Sequence, residues 1–224
     1  MHTPQAEIKP ARIRTQLLVL AISRFFLITT SRMVFSFLPS FARGLGTSEA
    51  KLQASLSSRS LVSFAVPFLI PLSEKFGRKT FLYLAMLIFS VACLLAASAN
   101  SLAIFVLALL IRSLAQALYD PTMRAHLGDI VSYGQRGKAV AVTEFSWSGA
   151  LLVGAPLAGL LIANYGWQSP FIWLSALGFI SIGLLWRFIP AAAGAVASRF
   201  NLRQAVKSMA TLPALWGASF YVGA

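Results

Sequence analysis

Long apolar runs alternate with short polar, mostly basic segments along nearly the whole chain. A helix needs about 20 apolar residues to cross the roughly 30 Å hydrocarbon core of a bilayer. Six stretches reach this length, and they are residues 15–42, 52–73, 79–98, 102–122, 139–163 and 168–189. The pattern therefore predicts an all-α polytopic membrane protein with six spanning helices.

A seventh apolar run begins near Leu212 and is 13 residues long where the sequence stops at Ala224. Because such a run is too short to span a bilayer, we interpret it as the start of a seventh helix. The predicted organisation is a cytoplasmic tail at residues 1–14, a six-helix bundle at 15–189, a basic linker at 190–211 and the start of a seventh helix at 212–224. This organisation implies one half of a larger bundle.

Composition agrees with this interpretation. Apolar residues make up 58% of the chain and charged residues 11%, against about 45–50% and about 25% in soluble domains. The first apolar run is too long for a cleavable signal peptide, whose apolar region is about 7–15 residues, so we expect it to remain as helix one. The single Cys93 lies in the third predicted span and indicates no redox compartment.

The net charge of +13 raises the question of nucleic-acid binding. Of the 19 Lys and Arg residues, 13 fall on the side of the N-terminal tail, two on the opposite side and four within predicted spans. This bias follows the positive-inside rule and predicts a cytoplasmic N-terminus in the cell inner membrane. The chain has no basic domain or reading motif of the kind that nucleic-acid-binding proteins carry, so we expect no such partner.

The predicted linker carries Arg199, Arg203 and Lys207 at intervals of four residues. This spacing suits an amphipathic helix on the anionic inner leaflet of the membrane. A flexible linker is the alternative that the sequence leaves open.

The connection after the second predicted span reads Pro71-Leu72-Ser73-Glu74-Lys75-Phe76-Gly77-Arg78-Lys79. It resembles the loop signature of the major facilitator superfamily, GxLaDrxGrk, with Ile70 at the first Gly and Glu74 at the Asp. The resemblance implies two six-helix halves flanking a substrate path. It also implies a conformational gate, in which the family's acid pairs with helix ends of the opposite half. Its residues here are Glu74, Lys75, Gly77, Arg78 and Lys79. Alternatively, the loop only sets the topology and turns the chain.

A second stretch, Arg112-Ser113-Leu114-Ala115-Gln116-Ala117, resembles the family's RxxqG pattern, with Gln116 one residue further along. In the family the matching arginine is linked to proton coupling. Independently, a guanidinium within a spanning helix is costly and must face a cavity or a partner. A structural arginine bonded to backbone carbonyls across helices is equally compatible with the sequence.

A third stretch resembles the family's RGra loop, and it consists of Tyr119-Asp120-Pro121, Asp129 and Arg136-Gly137-Lys138. We expect it to form the exit from span four and the entry to span five. There Asp120 and Asp129 would lie close to Arg124, Arg136 and Lys138. These charges form either a solvated ion-pair network of small energy or further members of the gate, namely Asp120, Asp129 and Arg136.

The fourth stretch, residues 149–159, is similar to the gxxxGPxxGG signature associated with antiporters. The residues that carry the similarity are Gly149, Gly154, Pro156 and Gly159. Small residues let helices approach closely and a proline removes a helical hydrogen bond, so we predict a bendable helix. Generic helix packing is the alternative.

Four arginines lie within the predicted spans, and with Asp120 assigned to the exit from span four we expect Glu144 to be the carboxylate that opposes them. They are Arg24, Arg32, Arg59 and Arg112. Their compensation must come from the missing half, from an anionic substrate or from snorkelling to the surface. Arg24 and Arg32 are eight residues apart and are expected on roughly the same helix face, which favours an anionic substrate. With Gln116, and with Glu144 as the proton carrier, these arginines form the predicted substrate or proton pathway.

These features predict the N-terminal half of a secondary transporter that works by rocking of two bundles. The antiporter-like stretch favours proton-coupled export of a drug, metabolite or organic anion. The expected partners are the lipid bilayer, protons, a small-molecule substrate and a C-terminal six-helix half. The alternative is a non-transporting protein, either a truncated half or a regulatory partner of a full transporter. The histidines are His2 and His126, and the sequence has no phosphate-binding Gly-rich loop. We therefore expect that the protein is not an enzyme and has no cofactor or metal site.

Overall fold

The computed structural model describes residues 10–57, 62 and 77–190, and regular structure in these ranges is entirely helical. The α-helices are α1 Pro10–Ser36, α2 Leu38–Gly44, α3 Glu49–Leu56, α4 Arg78–Ala97, α5 Leu102–Ile130, α6 Arg136–Gly149, α7 Ala155–Tyr165 and α8 Ser169–Phe188. A 3-10 turn, Tyr133–Gln135, precedes α6, and a π-helical segment, Ala150–Gly154, joins α6 to α7.

Five helical stretches in the described part of the chain are long and apolar enough to cross a membrane. They are Ile13–Ser36, Arg78–Ala97, Leu102–Ile130, Tyr133–Tyr165 and Ser169–Phe188. This confirms the prediction of an all-α polytopic membrane protein. Most of the predicted second span, the predicted linker beyond residue 190 and the predicted seventh helix lie outside the described residues.

The first predicted span, residues 15–42, is interrupted in the structure. Helix α1 ends at Ser36, and α2 begins at Leu38 with Pro39 in its first turn. Proline has no backbone N–H, and its ring clashes with the preceding turn of a continuous helix. The chain therefore starts a new helix at this point instead of extending α1.

The fourth predicted span was placed too short. It was expected to end at residue 122, but α5 runs through Pro121 to Ile130. Spanning helices tolerate proline, because neighbouring helices and polar side chains can satisfy the backbone carbonyl that loses its N–H partner. The segment containing Asp120, predicted at a helix exit, consequently lies inside a helix.

The bundle has two chemically different ends. Helix α4 packs along α5 and α8, while α1 packs against α6, the π-helical segment and α8. The aromatic end is defined by Phe41, Phe105, Trp167 and Phe171, whose contacting ring pairs have centroids 5.5–6.3 Å apart. The basic end is defined by Arg78, Lys79, Arg136 and Lys138, at the other ends of α4, α5 and α6.

Candidate functional site

Four polar residues recur at intervals of four along α5. They are Arg112, Gln116, Asp120 and Arg124, which we call the polar stripe. Residues four apart lie on the same side of a helix. With a rise of 1.5 Å per residue, the stripe extends over about 18 Å of the helix.

Arg24 of α1 connects the stripe to α6. Its Nε lies 3.1 Å from Asp120 Oδ1, and its Nη1 lies 3.0 Å from Glu144 Oε1 and 2.9 Å from the Thr143 carbonyl oxygen. The Arg24 side chain is only 6% exposed. A charge this buried needs an ionic partner and further hydrogen bonds to offset its lost hydration, and Arg24 has two carboxylates and a carbonyl.

The stripe is continuous through Gln116. Its amide Nε2 lies 3.5 Å from Asp120 Oδ2, while its Oε1 accepts from Arg112 Nη1 at 3.0 Å and from Ser31 Oγ at 3.3 Å. At the other end of the stripe, Arg124 Nη2 lies 3.7 Å from Glu144 Oε1. A chain of polar contacts therefore runs from Arg112 to Arg124 and joins α1, α5 and α6.

Arg112 has both a polar side-chain partner and a backbone carbonyl as acceptors. It is buried, and its Nη1 donates to the Leu27 carbonyl of α1 at 3.2 Å as well as to Gln116. The extra residue before Gln116, relative to the family pattern, places the glutamine one full turn away, where it accepts from Arg112. The departure from the pattern thus preserves a direct contact.

Arg32 lies apart from this network. Its guanidinium carbon is 4.1 Å from the centroid of the Trp147 ring on α6, and Trp147 is 48% exposed. Eight residues make 2.2 turns, so Arg32 is rotated about 80° from Arg24 around α1. The two arginines, expected on roughly the same helix face, have different surroundings, because Arg24 is enclosed between helices and Arg32 rests on a partly exposed indole.

Two further expectations about the charges require correction. Glu144 was expected to be the sole carboxylate opposing the intramembrane arginines, but Asp120 shares Arg24 with it. Asp120 and Asp129 were also both expected close to the same three cations, Arg124, Arg136 and Lys138. Since both aspartates lie on the same continuous helix nine residues apart, about 14 Å separates them along its axis.

At the basic end, three of the predicted gate residues form contacts. Arg78 pairs with Asp129 and also donates to the Ala125 carbonyl. Arg136 Nη2 donates to the Gly128 carbonyl at 2.9 Å. These contacts tie the end of α5 to the start of α4 and to the start of α6.

Two other gate candidates flank this cluster. Gly77 precedes α4 with φ of 88°, a left-handed conformation that favours glycine. Lys79 Nζ lies 3.4 Å from the Trp186 carbonyl of α8. Glu74, Lys75 and the pathway candidate Arg59 fall outside the described residues.

The glycines of the antiporter-like stretch face α1 and the residue that follows it. A Cβ at Gly154 would lie 2.4 Å from Thr29 Oγ1, and one at Gly159 would lie 2.7 Å from Phe37 Cζ. At Gly149 the nearest atoms, on Phe25, are 3.5 Å away. Pro156 lies in the first turn of α7, directly after the π-helical segment. The helix is thus closely packed at the place where its hydrogen-bond pattern changes.

Three contacts of α1 with α5 and α6 were not predicted from the sequence. They involve Trp147, Ser31 and the buried pair of Gln16 with His126. In that pair His126 Nε2 lies 3.2 Å from Gln16 Oε1 and connects α5 to α1. The four-residue spacing of the polar stripe was visible in the sequence and could have grouped Asp120 with Gln116. Trp147 carried no such signal, because its partner lies on a different helix.

Comparison with known proteins points in one direction. The sequence profile of the Major Facilitator Superfamily matches residues 20–224. The uncharacterized MFS-type transporter YwfA of Bacillus subtilis (strain 168) is 31% identical over 158 residues, which cover 69% of this chain and 38% of YwfA. Multidrug resistance protein 2 of the same organism is 26% identical over 75% of this chain and 42% of its own length. The chain therefore matches about two fifths of each relative.

Solved structures agree at the level of the fold. A bacterial homolog of the human lysosomal transporter Spinster, in an inward-facing and unoccupied conformation, superposes with a TM-score of 0.69 at 16% identity. The superposition covers 95% of this chain and 52% of the Spinster homolog. The POT family transporter PepTSo gives a TM-score of 0.61 at 19% identity, over 82% of this chain and 38% of its own. At these identities the likeness concerns the fold alone.

Proposed function

The chain belongs to the major facilitator superfamily, and we propose that it forms the N-terminal six-helix half of a secondary transporter that exports a small molecule in exchange for protons. Membership of this transporter family also sets the chain apart from enzymes. In the proposed cycle, this bundle and a second bundle rock about a substrate path between them. The protein would reside in the cell inner membrane with its N-terminus and basic end in the cytoplasm.

The observation that carries the proposal is the sharing of Arg24 between Asp120 and Glu144, which lie on different helices. Glu144 is 46% exposed and Asp120 26%, so Glu144 is the more accessible of the two carboxylates. When Glu144 takes up a proton, its attraction to Arg24 and Arg124 weakens, and Arg24 keeps Asp120 as its counter-ion. Proton uptake would thereby loosen α6 from α1 without leaving a buried charge uncompensated.

The basic end supplies the proposed gate. Arg78, Asp129 and Arg136 join three helix ends through contacts that are partly exposed. Exposed ion pairs contribute about 0–1 kcal/mol, so they can break and reform during a cycle. Gly77 and Lys79 remain gate candidates beside them, together with Glu74 and Lys75. Asp120, which is engaged with Arg24 inside the bundle, is no longer included.

Export, as opposed to import, rests on two supports. Residues 149–159 are similar to the antiporter signature, and their glycines lie against α1 and Phe37 with little space to spare. One relative carries the name multidrug resistance protein 2. We propose that the π-helical segment Ala150–Gly154 lets α6 and α7 bend as the substrate path opens.

The test is a proton-antiport assay on the natural protein in everted membrane vesicles with an acidic interior. Addition of a transported compound should release protons and restore the fluorescence of a pH-gradient dye. Ethidium and benzoate serve as a cationic and an anionic probe. We expect Glu144→Gln to abolish the response, while the matched variant Glu49→Gln, at the exposed start of α3, retains it. A full response in Glu144→Gln would contradict the proposed proton carrier.

The proposal of a second half has its own test, the intact mass of the polypeptide purified from its source membrane. We expect a mass near twice the 24.2 kDa of this sequence. A mass of about 24 kDa would exclude a covalently continuous second half. Cross-linking would then distinguish a homodimer of halves from a non-transporting partner protein.

A further inference from the structure

We propose that Arg32 and Trp147 form a subsite for the carboxylate of an organic anion, with the apolar body of the anion lying beside the indole. This inference rests on the proposed transport function and specifies its substrate class. It concerns residues at which the sequence indicated only a general preference for anions, and it assigns a role to Trp147, which the sequence did not single out.

The first support is the unbalanced charge of Arg32. The residue lies in α1 within the membrane-spanning stretch Ile13–Ser36. No carboxylate lies within 4 Å of it, and its N–H groups have no acceptor, among the residues that the structure describes. An arginine at membrane depth is costly unless it meets an anion, a carbonyl or water. A carboxylate delivered by a substrate would satisfy this requirement.

The second support is the geometry of the stack. The Trp147 ring lies against the guanidinium group at 4.1 Å, a distance typical of cation–π contact. The five N–H donors of a guanidinium point outward in its plane, where they match the two oxygens of a carboxylate. The contact with the ring face uses none of these donors as a hydrogen bond to another described residue. The indole, about half exposed, offers an apolar surface next to these donors.

The third support is the charge of the surroundings. The network that joins α1, α5 and α6, from which Arg32 is separate, contains the cations Arg24, Arg112 and Arg124 and the carboxylates Asp120 and Glu144. Together with Arg32, these groups number four positive and two negative, a formal excess of two positive charges. In a low-dielectric setting such an excess raises the local concentration of anions and disfavours cations.

The experiment measures binding to the purified natural protein in nanodiscs by isothermal titration. The probes are benzoate, indole-3-acetate, cyclohexanecarboxylate and octanoate, each paired with its neutral amide. We expect at least one carboxylate to bind more tightly than its amide. In Arg32→Gln this preference should fall by about tenfold or more, since a charge-assisted hydrogen bond is lost. Arg32→Lys should recover part of it, because charge returns without the planar donor pair.

Substitutions of the indole separate stacking from simple charge. Trp147→Phe should retain most of the affinity for benzoate, whereas Trp147→Leu should weaken it severalfold. Matched controls are Arg43→Gln, whose arginine donates to a carbonyl of its own helix, and Trp186→Phe, on the exposed side of α8. Both controls should bind like the natural protein. Thermal denaturation of each variant identifies changes that act through folding.

Three outcomes would overturn the subsite. One is a natural protein that prefers none of the four carboxylates over its amide, and another is unchanged preference in Arg32→Gln. The third is an equal loss of carboxylate and amide binding in Arg32→Gln together with a lower denaturation temperature, which would indicate that Arg32 acts through folding and pairs with another part of the protein. If the natural protein exchanges protons for ethidium in any of these cases, the proposal of an organic-anion substrate is rejected but the proposal of proton-coupled export stands. If the natural protein exchanges protons for none of the probes, the proposed function itself is rejected.

Discussion

Arginine–carboxylate pairs attach α5 to its neighbours at two places, in the middle of the bundle and at its basic end. In the middle, the side chains of Arg24 and Asp120 are 6% and 26% exposed. At the basic end, those of Arg78 and Asp129 are 24% and 55% exposed. The two pairs have the same chemistry, but water reaches them to very different extents.

This difference sets what each pair can do. Removing one partner of a buried pair leaves an uncompensated charge in a medium of low dielectric. An exposed pair is replaced by water and ions with little change in free energy. The central pair is therefore suited to holding α1, α5 and α6 together, while the pair at the basic end is suited to repeated opening.

The largest effect is expected from Asp120→Ala. This change removes one of the two carboxylates that compensate buried Arg24, and Glu144 can replace it only in part. We expect a destabilisation of about 2–4 kcal/mol, measured as a lower denaturation temperature in detergent. Asp120→Asn, which keeps the size of the side chain and one acceptor oxygen, should lose less. Equal stability of Asp120→Ala and the natural protein would contradict the comparison.

A smaller effect is expected from Gln116→Leu, which interrupts the polar stripe. Arg112 and Ser31 lose their shared acceptor, although Arg112 keeps the Leu27 carbonyl. The expected loss is about 1–2 kcal/mol, the typical consequence of depriving a buried donor of its partner. Thermal denaturation of Gln116→Leu beside Leu114→Ala, an apolar change in the same helix, provides the measurement. If Gln116→Leu lost more stability than Asp120→Ala, Gln116 and not Asp120 would be the residue on which the stability of the network chiefly depends.

At the basic end, Asp129→Asn should alter stability by less than about 1 kcal/mol. Its effect should instead appear in the balance between open and closed states, because Arg78 then loses its ion pair. Fluorescence between dyes attached to the two proposed halves of the natural protein would report this balance. An unchanged distance distribution, or a destabilisation comparable with that of Asp120→Ala, would contradict our assignment of the pair to the gate.

The smallest effect is expected from Arg136→Gln. The arginine donates to the Gly128 carbonyl near the end of α5, where its charge interacts favourably with the dipole of α5. It is also the first residue of α6, whose dipole opposes the charge, so the expected net effect is below about 1 kcal/mol. Raising the salt concentration should reduce the difference between this variant and the natural protein, since exposed charges are screened. The salt dependence of the denaturation temperature is the measurement, with Lys138→Gln as a neighbouring control. A difference that does not depend on salt would place Arg136 in a less exposed setting.

Much of the architecture could be predicted because it depends on local properties of the chain. The apolar runs indicated the spanning helices, because a run of about 20 apolar residues suits the bilayer wherever it lies in the chain. Errors arose where local rules compete with the rest of the fold. Pro121 favoured a helix end at residue 122, yet α5 continues to Ile130, because a spanning helix can satisfy the disturbed backbone groups from its surroundings.

The candidate site was harder to predict. Arg24, Arg32, Arg112 and Glu144 could be selected from the sequence, because a charge within an apolar run is costly wherever the run folds. Their partners could not, since Asp120 and Trp147 are 96 and 115 positions from Arg24 and Arg32 respectively. Only the packing of α1 against α5 and α6 brings these side chains together.

By itself, then, the sequence determined that this is a helical membrane protein and that several arginines need compensation, because hydrophobic length and the cost of buried charge act locally. The tertiary structure decided which groups surround each described arginine. Helix rotation turns Arg24 towards two carboxylates and Arg32 towards an indole, although only eight residues separate them. The partner of each arginine depends on which neighbouring helix its side of α1 packs against, and the local sequence does not determine that packing.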